Sequence, residues 1–381
     1  MGCLPPSGVA IWLLAHVTYV LAGGFSRLAP YFPGAKRLLC YVSRRAADRA
    51  LEFFGVRVTS ALFGWTTWWL SSFGTWPIVR TSAASPDYCE GINAPQAVWY
   101  DLRGLGDHAS PHELIIAYVH GGGFCIHTAT EPLFAAAVLP RLAIRGVRAR
   151  VLALDYSLAP ASRATQLAQL LHAWTQLTLD APPEATLVLA GDSAGGHLAL
   201  AMAHAMARPA PASGAPAPHD APARRRPDAL LAISPWLHVV RSAAHRSPPA
   251  TRPRTDYLSE LMLAEFARAA GHTANLMLPG AAGSLLDGPP PRHTWPRTAI
   301  WVGGDELIGD DGRRLATALR RQCEQQQLDA ARHVTLFDAP GAVHDGLLLP
   351  WYDATPGDAA RQVEEVVAWI ESSLRDRAQR Q

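Results

Sequence analysis

Residues 186–206 read TLVLAGDSAGGHLALAMAHAM, a strand-like run that passes directly into a helix-like one. Its first five residues are β-branched or apolar, as in a strand buried on both faces. From Gly195 onward the composition turns to Ala, Leu and Met, the residues of a buried helix. Between the two lies Gly191-Asp192-Ser193-Ala194-Gly195, a G-x-S-x-G pentapeptide. A chain that passes straight from strand to helix at a serine must turn sharply. Side chains at Gly191 and Gly195 would then collide with neighbouring backbone, so small residues are required there. The turn projects the Ser193 hydroxyl from the sheet. The helix that begins beside it favours negative charge developing there.

The same alternation continues on both sides. Short apolar runs at 97–102, 114–119, 150–156, 186–190, 230–234, 299–302 and 333–337 predict strands. Longer stretches at 131–145, 163–178, 195–206, 259–270, 311–326 and 356–375 predict helices. A strand and helix series of this kind makes a mostly parallel sheet covered by helices on its faces. The segment RPAPASGAPAPHDAPARRRP at 208–227 is rich in proline and alanine and reads as an exposed flexible loop, its Arg224 to Arg226 run solvated.

Upstream, the run LIIAYV at 114–119 leads into His120-Gly121-Gly122-Gly123-Phe124. Glycines let backbone N–H groups approach a substrate oxygen unobstructed, so this is a candidate oxyanion-hole loop. The N–H groups of Gly121, Gly122 and Ala194 are expected to converge on a tetrahedral intermediate. A phosphate loop is excluded, since neither G-x-G-x-x-G nor a terminal Gly-Lys-Ser/Thr is present.

His-Gly-Gly-Gly at 120–123 together with Gly-Asp-Ser-Ala-Gly-Gly at 191–196 resembles the hormone-sensitive-lipase branch of the α/β-hydrolases. The similarity runs through DYSLAP at 155–160, ISPW at 233–236, GDEL at 304–307 and the late His344, and covers about residues 110–375. With its apolar beginning, the chain is similar to membrane-anchored steryl acetyl hydrolases and related esterases of that branch. The resemblance implies an α/β-hydrolase fold: a central, mostly parallel sheet flanked by helices, with a helical cap and, here, an N-terminal apolar helix. One departure is Ala161, where the family commonly has Glu, which puts the support of that loop in question.

A serine hydroxyl is nearly inert at neutral pH and needs a base, itself oriented by an acid. In this fold the order is Ser, Asp/Glu, His. Asp305 follows the run AIWV and two glycines and matches the family's Asp-x-Leu position, so it is the expected acid; Glu306 and Asp310 are the alternatives. His344 lies in PGAVHDG after the last expected strand and is the expected base. His333 belongs to a strand start, His120 to the oxyanion loop, and His197 to packing near the site. The expected triad is therefore Ser193, Asp305 and His344, acting on a carboxylic ester through an acyl-enzyme, with no cofactor and no metal. Amide or lactone cleavage would use the same groups. A non-catalytic receptor on this fold is a further alternative, but such receptors lose the catalytic His.

The chain has 381 residues and a formal charge of +2, which argues against nucleic acid as a partner. At 49% hydrophobic residues, whole-chain disorder is excluded. Five cysteines without C-x-x-C or paired Cys/His spacing imply neither a metal site nor a disulfide framework. They are expected as free thiols, with a Cys89 to Cys125 bridge as the alternative.

Residues 1–26 carry no Asp, Glu, Lys or Arg, and VAIWLLAHVTYVLAGGF at 9–25 is almost wholly apolar. The run predicts a membrane anchor, with a cleaved signal peptide or a buried helix as alternatives. Positive charge follows it, at Arg27, Lys36, Arg37, Arg44, Arg45 and Arg49, and weakly favours leaving the remaining chain in the cytosol. A membrane-anchored location follows, the endoplasmic reticulum being one candidate membrane. Residues 27–95 read as a cap or interfacial region, with four tryptophans in an uncharged stretch at 58–79. The catalytic domain is expected at 96–381, with a cap insertion near 241–278. Apolar aromatic surfaces there suit a small lipophilic ester, and the resemblance to steryl acetyl hydrolases implies a short, acetyl-type acyl group. The oligomeric state is not legible.

Overall fold

The computed structural model describes residues 41, 44–45, 47–49, 79–89, 97–102, 113–207, 225–239, 256–271, 295–349 and 357–378. The expected anchor at 1–26, the tryptophan-rich stretch and most of the 208–227 loop lie outside them. No helix among the described residues is long and apolar enough to cross a membrane.

Among the described residues eight strands form one sheet: β1 (Val79–Ala83), β2 (Ala97–Leu102), β3 (Leu114–Val119), β4 (Ala149–Leu154), β5 (Thr186–Asp192), β6 (Ala229–Ile233), β7 (Arg297–Gly303) and β8 (Val334–Ala339). Their spatial order is β1-β2-β4-β3-β5-β6-β7-β8. From β4 to β8 every neighbouring pair is parallel, while β2 runs antiparallel to β4 and β1 antiparallel to β2. Strands β3, β5 and β6 are buried at every position, which is why they read as continuous apolar runs rather than alternating ones.

Helices α1 (Leu133–Ile144), α2 (Arg163–Asp180), α3 (Ser193–Ala207), α4 (Glu260–Ala270), α5 (Gly309–Gln325), the single turn α6 (Ala330–His333) and α7 (Asp358–Ala378) complete the fold. Side chains of β3 alternate between the two faces. Ile115, Ala117 and Val119 pack with Trp174 of α2, Leu198 of α3 and Leu315 of α5. Leu114, Ile116 and Tyr118 pack with Phe134 of α1 and Val366 and Ile370 of α7. Burying one such large side chain contributes about 1.5–3 kcal/mol, so the two layers rather than helix propensity fix the helices. Caps refine the ends. Ser162 accepts from the Thr165 N–H at the start of α2, Ser259 accepts from the Met262 N–H at the start of α4, and Gly271 closes α4 in a left-handed conformation.

Three readings of the sequence are corrected. Strand β1 is absent from the expected strands, its five residues VRTSA being too polar to announce one. His333 ends α6 instead of opening β8, because Asp329 accepts from the N–H groups of Ala331 and Arg332 and nucleates a turn there. Arg225 and Arg226 are not a freely solvated run: Arg225 donates to the Pro182 carbonyl at 3.1 Å and Arg226 to the Met206 carbonyl at 3.3 Å, stitching the chain to the loop after α2 and to α3 as it enters β6. Cys89, Cys125 and Cys323 are free thiols, so the alternative bridge between Cys89 and Cys125 does not form.

Candidate active site

Ser193 is the first residue of α3, at the end of β5. Its φ of 49° places it in the left-handed region, a strain that a serine tolerates only where the surroundings enforce it. Gly195 shows what enforces it. A Cβ there would fall 2.1 Å from the Val119 carbonyl oxygen and 2.4 Å from that of His120, so the elbow sits directly against the end of β3. Behind the elbow, the Ser193 carbonyl accepts from the Trp236 N–H at 3.0 Å.

The Ser193 hydroxyl oxygen lies 3.0 Å from His344 Nε2. His344 is buried, in the loop after β8. Its Nδ1 is 2.8 Å from Glu306 Oε1. The carboxylate that meets the imidazole is therefore that of Glu306, not of its expected neighbour Asp305. Successive residues leaving a strand point to opposite sides, and the side facing the His344 loop falls to Glu306, whose side chain is wholly buried. Its Oε2 accepts from the Gly303 N–H at 2.8 Å and from the Ser234 hydroxyl at 3.0 Å, so both oxygens are satisfied. The Asp305 N–H donates to the Ala342 carbonyl at 2.8 Å, tying the loop after β7 to the histidine loop. The two loops approach so closely at Gly303 that a Cβ there would stand 2.5 Å from the Ala342 carbonyl oxygen. Asp310 is bound up elsewhere, pairing with Arg313 at 3.0 Å.

Gly121 packs against Asp192, the residue before the elbow serine, and Gly122 follows it beside Ile126 and His127, while Ala194 contributes the second N–H of α3, one of those with no carbonyl to reach within the helix. Tyr156 donates its hydroxyl to the carbonyls of His120 and Gly121, at 3.0 and 3.2 Å, and its ring stacks on His120 at 4.5 Å. The loop is thus held by its carbonyls. His120 faces Asp155 at 3.5 Å and the Gly121 carbonyl at 3.0 Å, a supporting position. His197 packs as expected: it is fully buried, with Nδ1 2.9 Å from the Trp236 carbonyl. Above the loop lies α4, within the expected cap insertion; a Cβ on Gly123 would fall 2.5 Å from the Phe266 ring.

Three polar residues carry no expectation from the sequence. Ser234 follows β6 with φ 43° and no exposure; besides serving Glu306, its hydroxyl accepts from the Asp345 N–H at 3.0 Å. Asp256, just ahead of α4, accepts from the Leu307 N–H at 2.7 Å and the His344 N–H at 3.3 Å, joining the cap segment to both loops. Asp345 places Oδ2 3.1 Å from His344 Nε2. Ser234 could have been suspected from the ISPW match; a lone Asp in a proline-rich stretch and an Asp beside a histidine carry no signal.

The site is acidic and buried. Burial pushes the Asp256 carboxyl up to about 6, against the pull of His344. Asp192, packed against Gly121, is pushed up to about 7 by burial and by the charge of Asp345, even though it accepts a hydrogen bond from the Tyr118 hydroxyl. Burial by itself would lower the pKa of His344, but Asp345 and Glu306 hold it well above the ordinary histidine range. A serine, an imidazole and a carboxylate in line, beside a glycine loop at a helix start, are the parts needed to attack a carbonyl and stabilise the resulting oxyanion.

Comparison with known proteins bears on the fold and the class of reaction. The family described as "alpha/beta hydrolase fold" matches residues 116–347. An acetyl-hydrolase of Streptomyces hygroscopicus is 26% identical over 260 residues, covering 68% of this chain and 75% of its own length. The esterase LipU of Mycobacterium tuberculosis is 30% identical over 216 residues, covering 54% of this chain and 63% of its own. Among solved structures, an esterase of Pyrobaculum calidifontis superposes with a TM-score of 0.62 at 17% identity, covering 86% of this chain and 97% of its own.

Proposed function

The chain belongs to the alpha/beta hydrolase fold family and is a carboxylic ester hydrolase by its relatives, and from that premise we propose that it works through Ser193, His344 and Glu306 on short-acyl, acetyl-type esters of lipophilic alcohols. The observation that carries the proposal is the unbroken line from the Ser193 hydroxyl through both nitrogens of His344 to Glu306, at 3.0 and 2.8 Å. Ser193 attacks the acyl carbonyl and passes its proton to His344 Nε2. Glu306 fixes the Nδ1–H tautomer and stabilises the imidazolium that forms. The N–H groups of Gly121, Gly122 and Ala194 receive the oxyanion, each contributing about 3–4 kcal/mol. Collapse of the intermediate expels the alcohol, protonated by His344. Water then attacks the acyl-enzyme by the same route in reverse.

The acetyl preference is supported by the Streptomyces relative's name and by the cap segment closing over the oxyanion loop at Phe266. Attachment to a membrane through residues 1–26 is the part of the proposal that rests on sequence alone. The test is full-length protein in detergent, offered p-nitrophenyl esters of increasing acyl length and labelled with a fluorophosphonate. Label on Ser193, acetate turned over fastest and no turnover by Ser193→Ala are expected. Wild-type turnover by Ser193→Ala would overturn the assignment.

A further inference from the structure

His344 Nε2 stands 3.0 Å from the Ser193 hydroxyl and 3.1 Å from Asp345 Oδ2. A base ready to act needs a lone pair on that nitrogen. Its Nδ1 is committed to Glu306 and its Nε2 is aligned on the Ser193 hydroxyl, so the Asp345 carboxylate lies beside Nε2 as an ion-pair partner and not as the acceptor of its N–H. A negative charge 3.1 Å from Nε2 in a buried site favours the protonated ring over the neutral one. We propose that Asp345 is a second carboxylate partner of the base, one that keeps a proton on His344 Nε2 in the resting enzyme and thereby sets the pH at which hydrolysis begins. This rests on the reading of His344 as the base.

The fold builds the contact from the backbone up. Asp345 has φ 50°, a left-handed conformation that turns its side chain back over the preceding imidazole. Its N–H is held by the Ser234 hydroxyl, which donates in turn to Glu306, so one buried hydroxyl fixes both carboxylates against one ring. Both Asp345 and His344 are buried, so water does not screen the pair. The charged groups around them come from several elements: Glu306 after β7, Asp256 ahead of α4, Asp192 at the end of β5 beneath the Tyr118 hydroxyl, and His127 in the loop after β3. Three of these four are acidic, so the surroundings also favour a proton on the imidazole. Asp345 acts through His344 and is a positioning residue. Proton balance is simple: Nε2–H is lost to solvent as pH rises, and the freed lone pair then takes the Ser193 proton.

The test is the pH dependence of kcat/KM for the full chain, whose rising limb reports the base in the free enzyme. Asp345→Asn and Asp345→Gly remove the charge while keeping residue types that tolerate a left-handed φ. The rising limb is expected to move down by about 1–3 pH units in both, the range an adjacent carboxylate produces. A limb that stays in place or moves up in both variants overturns the inference. Where turnover is too low to follow, the His344 ring titration by NMR in Ser193→Ala with and without Asp345→Asn reads the same shift, and an equal titration in the two refutes it. Ser193→Ala also separates the two failures: wild-type turnover in that variant removes the triad itself, whereas an inactive Ser193→Ala with an unmoved limb removes only the role of Asp345. A loss confined to protein stability would leave the limb where it was.

Discussion

Replacing Glu306 with Gln tests the acid more sharply than deleting it. The side chain keeps its shape, and one amide oxygen can still accept from the Gly303 N–H and the Ser234 hydroxyl, which together hold Oε2 at 2.8 and 3.0 Å. The other end of the amide is then an NH2 facing His344 Nδ1, where a carboxylate oxygen stood at 2.8 Å. A donor there demands a lone pair on Nδ1 and drives the remaining proton to Nε2, the atom that has to receive the Ser193 proton. The corresponding acid-to-amide exchange in a serine-protease triad lowers kcat by about 10⁴ through the wrong tautomer. Here a loss on the order of 10³–10⁴ is expected, about 4–5.5 kcal/mol of transition-state stabilisation. KM should change little, since no substrate contact is removed. The assay is steady-state hydrolysis of p-nitrophenyl acetate by Glu306→Gln and, in parallel, Asp305→Asn, with thermal melting to confirm folding. Asp305→Asn should keep wild-type kcat, because the Asp305 contribution to the His344 loop is its backbone N–H. A folded Glu306→Gln with near wild-type kcat, or an inactive but folded Asp305→Asn, would refute the assignment.

Two further outcomes follow from the packing and electrostatics. Gly195→Ala would put a methyl 2.1 and 2.4 Å from two backbone carbonyls of the oxyanion-loop stem, which cannot yield as a flexible side chain would. Loss of more than about 3 kcal/mol of stability and of all fluorophosphonate labelling is expected, read by denaturant unfolding and mass spectrometry. His127, paired with Glu131 at 2.7 Å, supplies a pH signature. Burial lowers its pKa, but Glu131 more than compensates and raises it from 6.5 to about 9. A group whose pKa is raised by folding contributes stability in full below its unfolded value and loses it as pH climbs through the folded one. The melting temperature should therefore carry a component that declines between about pH 6.5 and 9. Glu131→Gln should remove that component, and an unchanged slope in the variant would show that the pair contributes nothing.

Much of the fold is legible because its central strands are buried on both faces. Strands β3, β5 and β6 have no polar alternation to confuse with a helix, and each is followed by glycine, proline or polar residues that mark its end. The edge is illegible for the same reason in reverse. Among the described residues strand β1 pairs only with β2, and VRTSA has too little apolar content to signal pairing before the partner strand is known. The entry to β6 misleads because a run of arginines looks solvated until the carbonyls it caps, on Pro182 and Met206, are brought near by the fold.

The site shows where local reading stops. Ser193 and His344 each occupy a place that strand, turn and helix spacing define within a residue, and both are where that spacing puts them. The acid is different in kind. Asp305 and Glu306 are adjacent, both carry a carboxyl group, and both lie just past β7. Choosing between them requires knowing which of two consecutive side chains turns toward a loop 38 residues away. That choice is settled by the register of β7 on β8, where Gly303 lies opposite Ala339, and by the Asp305 N–H that anchors to the Ala342 carbonyl. Once the Asp305 backbone is tied there, the next residue must cross to the imidazole. The length of Glu then matters, since one oxygen reaches Nδ1 while the other turns back to the Gly303 N–H. A family pattern that names an Asp at this turn points to Asp305, whereas the pairing of two strands and two loops brings the carboxylate of the next residue, Glu306, to the imidazole.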